Sequence, residues 1–115
     1  MEARTSRELF DAAMHELYGR IVRECGRRYH PTIFHDMIEQ YGGLVTAQKL
    51  LKDPDYFSYG FAKLCELGRP DLTMEAMILS LDYRETLFTP EELTTAQERL
   101  AAAQQLSQAS RRPHR

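Results

Sequence analysis

A chain of 115 residues with 43% hydrophobic and 28% charged residues has the size and composition of one folded domain, and such a domain buries roughly two thirds of the surface that its unfolded chain exposes. This composition excludes wholesale disorder and a disulfide scaffold. The longest apolar run, Ala76-Met77-Ile78-Leu79, is far short of a membrane span, and a formal net charge of -2 gives no global field for nucleic acid or an anionic membrane.

Residues Met1 to Glu8 lack the apolar stretch of a signal peptide, so a cytoplasmic location is expected. Thr5-Ser6-Arg7-Glu8 is a capping box, and after it Leu9, Phe10, Ala13, Met14, Leu17, Ile21 and Cys25 recur at spacings of three and four. These spacings predict a first helix from Ser6 to Arg28. Its polar side carries Glu16, Arg20, Glu24 and Arg28 at steps of four, so opposite charges are neighbours. A basic patch of Arg20, Arg23, Arg27 and Arg28 is the competing reading, weakened by the two glutamates among them.

Pro31 suits the opening of a second helix, with Ile33, Phe34, Met37, Ile38 and Tyr41 on its apolar face and Gly42-Gly43 as its stop. A short third helix is expected over Leu44 to Lys52, followed by a break at Asp53-Pro54-Asp55. The aromatic run Tyr56-Phe57-Ser58-Tyr59-Gly60-Phe61 then leads into a helix ending at Gly68 and Pro70. Two further starts are written alike, Leu72-Thr73-Met74-Glu75-Ala76-Met77 and Phe88-Thr89-Pro90-Glu91-Glu92-Leu93. Each has a Thr that can cap, and an apolar residue before it that can staple to the one five positions on. They predict helices over Met74 to Leu81 and Pro90 to Gln108, joined by a tight link at Asp82 to Leu87. Residues 109–115 are polar and basic and read as a flexible tail behind a single domain of residues 1–108. No segment alternates with period two, so the expected fold is all-α: a compact bundle of about six helices with a long first and a long last helix.

The residues offer little machinery for chemistry. There is no phosphate-binding loop at Gly42-Gly43 and no nucleophile elbow. Cys25 and Cys65 are isolated, which suits buried apolar side chains better than a zinc site or a disulfide. His30, His35 and Asp36 come nearest to a metal or acid-base cluster, but positions 30 and 35 lie about 140° apart on a helix and converge only if His30 is outside it. Glu91 and Glu92 belong to a helix start. We therefore expect neither catalysis, nor a metal, nor a cofactor.

Two surfaces could bind. Tyr56, Phe57 and Tyr59 beside Arg69 have the residue types of a protein hot spot; against this, Arg69 can simply pair with Glu66 or Asp71, and Asp71 can help to cap the next helix. The alternative is a nucleic-acid-binding domain, with a helix-turn-helix-like element over residues 33–52 that offers Gln48, Lys49 and Lys52, aided by Arg111 and Arg112 of the tail. A second helix-turn-helix candidate, Leu64 to Leu81, has no base-reading side chain on its second helix.

The segment from Tyr41 to Leu100 carries Gly42-Gly43, Gly60-Phe61, Glu66-Leu67-Gly68-Arg69-Pro70-Asp71-Leu72-Thr73-Met74-Glu75-Ala76 and Leu87-Phe88-Thr89-Pro90-Glu91-Glu92-Leu93. This pattern resembles a group of short bacterial proteins of unassigned function, in which a large aromatic usually stands where this chain has Cys65. The resemblance implies a bacterial or phage origin. With the absence of catalytic motifs, it leads us to expect a small non-catalytic helical module with a protein partner, in a defence or counter-defence system.

Overall fold

The structure, a computed structural model, describes residues 4–53 and 60–111, with side chains as far as residue 103. Its helices are α1 (Ser6–Cys25), α2 (Thr32–Tyr41), α3 (Gly43–Leu51), α4 (Ala62–Glu66), α5 (Met74–Ser80), α6 (Arg84–Leu87) and α7 (Pro90–Arg111), with a 3-10 turn at Pro70–Leu72. No strand occurs among the described residues. The expected all-α bundle with a long first and a long last helix is the fold observed.

The helix starts follow their caps. Thr5 Oγ1 accepts from Glu8 N (3.1 Å), and the Glu8 carboxylate reaches back to Thr5 N. Thr89 and Glu92 repeat this reciprocal pair at α7 (3.1 and 2.9 Å), and Thr73 Oγ1 accepts from Ala76 N at α5. In each case one of the donors that a helix leaves unpaired in its first turn is satisfied. Asp71 has no part in capping α5, contrary to expectation, because its carboxylate is held by Arg69.

The helix ends depart further. α1 stops at Cys25, short of Arg28, where the Arg28 and Tyr29 amides both donate to the Cys25 carbonyl (2.8 Å each) and turn the chain toward buried Pro31. α7 continues to Arg111, so the first part of the expected tail is helical, and residues 112–115 lie outside the described residues. The expected link at Asp82 to Leu87 holds the single turn of α6. At Gly68, φ is +75°, the Gly68 amide donates to Cys65 O, and that of Arg69 to Leu64 O; this is the glycine-centred C-terminal motif in which left-handed backbone closes the last turn.

Gly42 alone joins α2 to α3, at φ +83°, and Gly43 is already the first residue of α3. There α3 starts against α1: Gly43 N donates to Asp11 Oδ1 (2.7 Å), and a Cβ at Gly43 would lie 2.9 Å from Asp11 Cα. The two glycines thus serve different ends, one a backbone conformation and the other a close approach.

The core is built on the buried face of α1, where Phe10, Met14, Leu17, Ile21 and Cys25 meet Ile38 of α2, Ala47 and Leu50 of α3, and Ile78 of α5. Phe10 packs edge-on against Phe88 (5.3 Å between centroids). α4 and α5 both pack on α7, where Phe61, Cys65 and Ala103 form a second small cluster. Both cysteines are buried and free. Inside this apolar setting sits one buried ion pair. Glu75 of α5 is fully enclosed and Arg99 of α7 nearly so, and Arg99 Nη1 donates to Glu75 Oε2 (2.9 Å) and Leu50 O (3.0 Å), while Nη2 donates to Leu51 O (3.0 Å). One guanidinium therefore ties α5 and α7 to the C-terminal carbonyls of α3.

Candidate functional site

Arg69 leaves the turn at Gly68 pointing at α1. Its Nε and Nη2 fork onto the two oxygens of Asp71 (3.1 and 2.9 Å), and Nη2 also reaches Glu24 Oε1 (2.6 Å). Glu24 accepts in addition from Arg20 Nε (3.1 Å). These bonds favour the charged forms: Arg69 and then Arg20 hold the Glu24 carboxyl below its usual range, Arg69 does the same for Asp71, and the two carboxylates raise Arg69. Arg69 thus bridges α1 to the α4–α5 connection. Of the two partners expected for Arg69, Glu66 and Asp71, it takes Asp71, and Glu24 has no mark in the local sequence because it is distant along the chain. Tyr56, Phe57 and Tyr59, read with Arg69 as a binding surface, lie outside the described residues.

With Glu24 held by Arg20 and Arg69, it no longer offsets its other neighbours. Arg23, Arg27 and Arg28 have no ion-pair partner among the described residues. They line, with Glu24, His30 and Arg69, an open cavity of about 700 Å3 at the end of α1, whose apolar lining is Val22, Cys25 and Leu67. Cations are favoured there by the negative end of a long helix.

A second cavity of about 530 Å3 adjoins it, since Arg28 and His30 line both. This groove is mostly apolar, formed by Tyr29, Pro31, Ile33, Phe34, Met37 and Leu50, and Asp53 and Gly60 also line it. Ile33 is 77% exposed, more than any other large hydrophobic residue described. Ile33 and Tyr41, expected on the apolar face of α2, are both exposed. For Ile33 the reason is the width of that face. From Ile33 to Ile38 it spans an arc of about 140°, and α1 and α3 cover the side of Phe34 and Ile38.

The histidines meet in a way the sequence left open. His30 is outside α2, and Tyr18 stands against both His30 and His35, with its hydroxyl 3.4 Å from His30 Nε2 and its ring 4.5 Å from that of His35. Glu39 Oε1 lies 3.5 Å from His35 Nε2 and 3.8 Å from His15 Nδ1, joining α2 to α1. Among the described residues no three His, Cys, Asp or Glu side chains are arranged to hold a metal ion.

For the nucleic-acid alternative, Gln48 is half-buried and Lys52 exposed, while Lys49 Nζ sits 4.8 Å over the Tyr41 ring. The turn between α2 and α3 is one residue, where a helix-turn-helix has three or four. Arg111 ends α7 and Arg112 lies outside the described residues.

Comparison of the chain with protein-family models, with curated proteins and with solved structures gives no match. Among the described residues no helix is long and apolar enough to cross a membrane.

Proposed function

We propose that this is a small, non-catalytic helical module that binds another protein through the groove at the start of α2. One observation carries this reading: Ile33 stands 77% exposed on the rim of an apolar groove built by Tyr29, Pro31, Phe34, Met37 and Leu50. Burying such a side chain is worth about 1.5 to 3 kcal/mol, which is about tenfold or more in affinity. An exposed apolar surface beside a concavity is what a partner's side chain needs and what an isolated domain has no use for. A bacterial or phage origin, a cytoplasmic location and a defence or counter-defence setting belong to the same proposal, the setting on the strength of the resemblance alone.

The test is a pull-down from the native host with the full chain and with Ile33→Asp, each checked for folding by circular dichroism, followed by affinity measurements on the retained protein. A partner held by the parent and lost by Ile33→Asp is expected. Retention unchanged in Ile33→Asp refutes the groove. Capture of nucleic acid that is lost in Lys49→Glu and Lys52→Glu would replace the reading by the helix-turn-helix-like alternative.

A further inference from the structure

Resting on that reading, we infer that the partner segment is acidic: it seats an apolar side chain against Ile33 and carries carboxylates that reach the arginine cavity at the end of α1. The two cavities adjoin at Arg28 and His30, which line both, so a segment seated in the groove can place its neighbouring residues at the arginines. The charges of the arginine cavity are unbalanced. Arg69 is neutralised by Glu24 and Asp71, and Glu24 is shared with Arg20. This leaves Arg23, Arg27 and Arg28 without a counter-charge among the described residues, in a molecule whose formal net charge is -2. A guanidinium presents a planar fork that matches a carboxylate with two parallel hydrogen bonds.

Phosphate would satisfy the same fork, and the neighbouring groove decides between them. Its exposed residue is aliphatic, with Pro31 and Met37 beside it, while its two rings, Tyr29 and Phe34, are half-buried and buried. Bases bind by stacking on aromatic or guanidinium planes, whereas an aliphatic rim is matched by a Leu, Ile or Phe of a peptide. The complementary field also steers encounter, and the rate of association should therefore fall with salt.

Selection of a displayed random peptide library on the full chain tests this. Selected peptides are then synthesised and measured by fluorescence anisotropy against the parent, Ile33→Asp, and the double variant Arg27→Glu, Arg28→Glu. Both of these arginines are exposed, so the double variant keeps the fold. The expected result is enrichment of peptides with acidic residues beside one large apolar residue, about tenfold weaker binding to each variant, and recovery on the arginine variant when the peptide's acids are exchanged for Lys. Peptides that need Ile33 and are indifferent to the arginine variant would overturn the acidic segment and leave the groove standing. Binders indifferent to Ile33→Asp, or no enrichment at all, would overturn both. A labelled single-stranded oligonucleotide that binds the parent, fails on the arginine variant and ignores Ile33→Asp would assign the cavity to nucleic acid and end this inference.

Discussion

Replacing Arg99 with Leu removes a side chain of α7 that bonds to α3 and α5 at once. It leaves Glu75 fully buried without the guanidinium, and it takes the donors at 2.9–3.0 Å from Glu75 Oε2, Leu50 O and Leu51 O. Removing one partner of a buried ion pair destabilises by about 3 to 5 kcal/mol, since the other charge stays desolvated. A domain of this size has about 5 to 15 kcal/mol in all, so the variant should lose a large part of its stability and melt about 10 to 20 °C lower. Urea unfolding followed by circular dichroism measures it, together with Glu75→Leu and the double variant. The double variant should be more stable than Arg99→Leu alone, because no buried carboxylate is then left without the Arg99 guanidinium. It should still fall below the parent by about 1 to 3 kcal/mol for the carbonyls of Leu50 and Leu51. The deficits should change little with salt, as a pair this buried is screened weakly. Two results would refute the reasoning: a loss under about 1 kcal/mol for Arg99→Leu, or two single losses that simply add in the double variant, which would mean the charges do not interact.

Three further outcomes are expected. Thr89→Ala should lower stability by about 0.5 to 2 kcal/mol in urea melts with the fold unchanged, because the reciprocal cap with Glu92 is lost. Gly43→Ala should destabilise by about 1 to 3 kcal/mol through crowding of Asp11 and Met14; Gly68→Ala, with open space around it and φ +75°, should lose only the about 1 to 2 kcal/mol of left-handed strain, and an order reversed in thermal melts would count against the close approach of α3 to α1. Burial, then the Glu75 and Glu66 charges, push the Cys65 thiol up from 9.0 to about 11, so iodoacetamide should spare it in the folded protein at mild pH and modify it in urea. The protonated thiol is the form that the fold favours, so its contribution is complete below pH 9 and is lost as pH rises through about 11; stability that holds level across that window would contradict the enclosure of Cys65.

What the sequence made legible was what is decided within a few residues. Thr5, Thr73 and Thr89 each declare a helix start because donor and acceptor lie three positions apart. Gly68 declares an end because only glycine adopts that backbone without strain. The contacts that set the fold in space cross longer distances and left fainter marks. Asp11 receives Gly43 N, and Glu24 receives Arg69, in both cases between elements whose mutual approach no local pattern encodes. Glu75 and Arg99 did leave a sign. Glu75 stands beside Met74 and three positions before Ile78, and Arg99 three after Ala96, so each charge falls in phase with buried residues, where an unpaired charge is not tolerated. Ile33 misled for the opposite reason: an apolar residue at helical spacing reads as core, and only the packing of α1 and α3 shows which side of α2 goes uncovered. The basic cavity needed the fold as well, because whether Glu24 cancels its arginine neighbours depends on Arg69.

The reach of Arg99 back to Leu50 and Leu51 also fixes the order in which the molecule can be assembled during synthesis. The ribosome releases α1, α2 and α3 first, yet the carbonyls that end α3 receive this donor only after residue 99 has been made. Closing so long a loop is slow, and an intermediate waiting for it exposes apolar surface. A nascent chain stopped before residue 90 leaves the first three helices with neither α7 to pack on nor the donor for α3, so it exposes apolar surface that the finished domain buries.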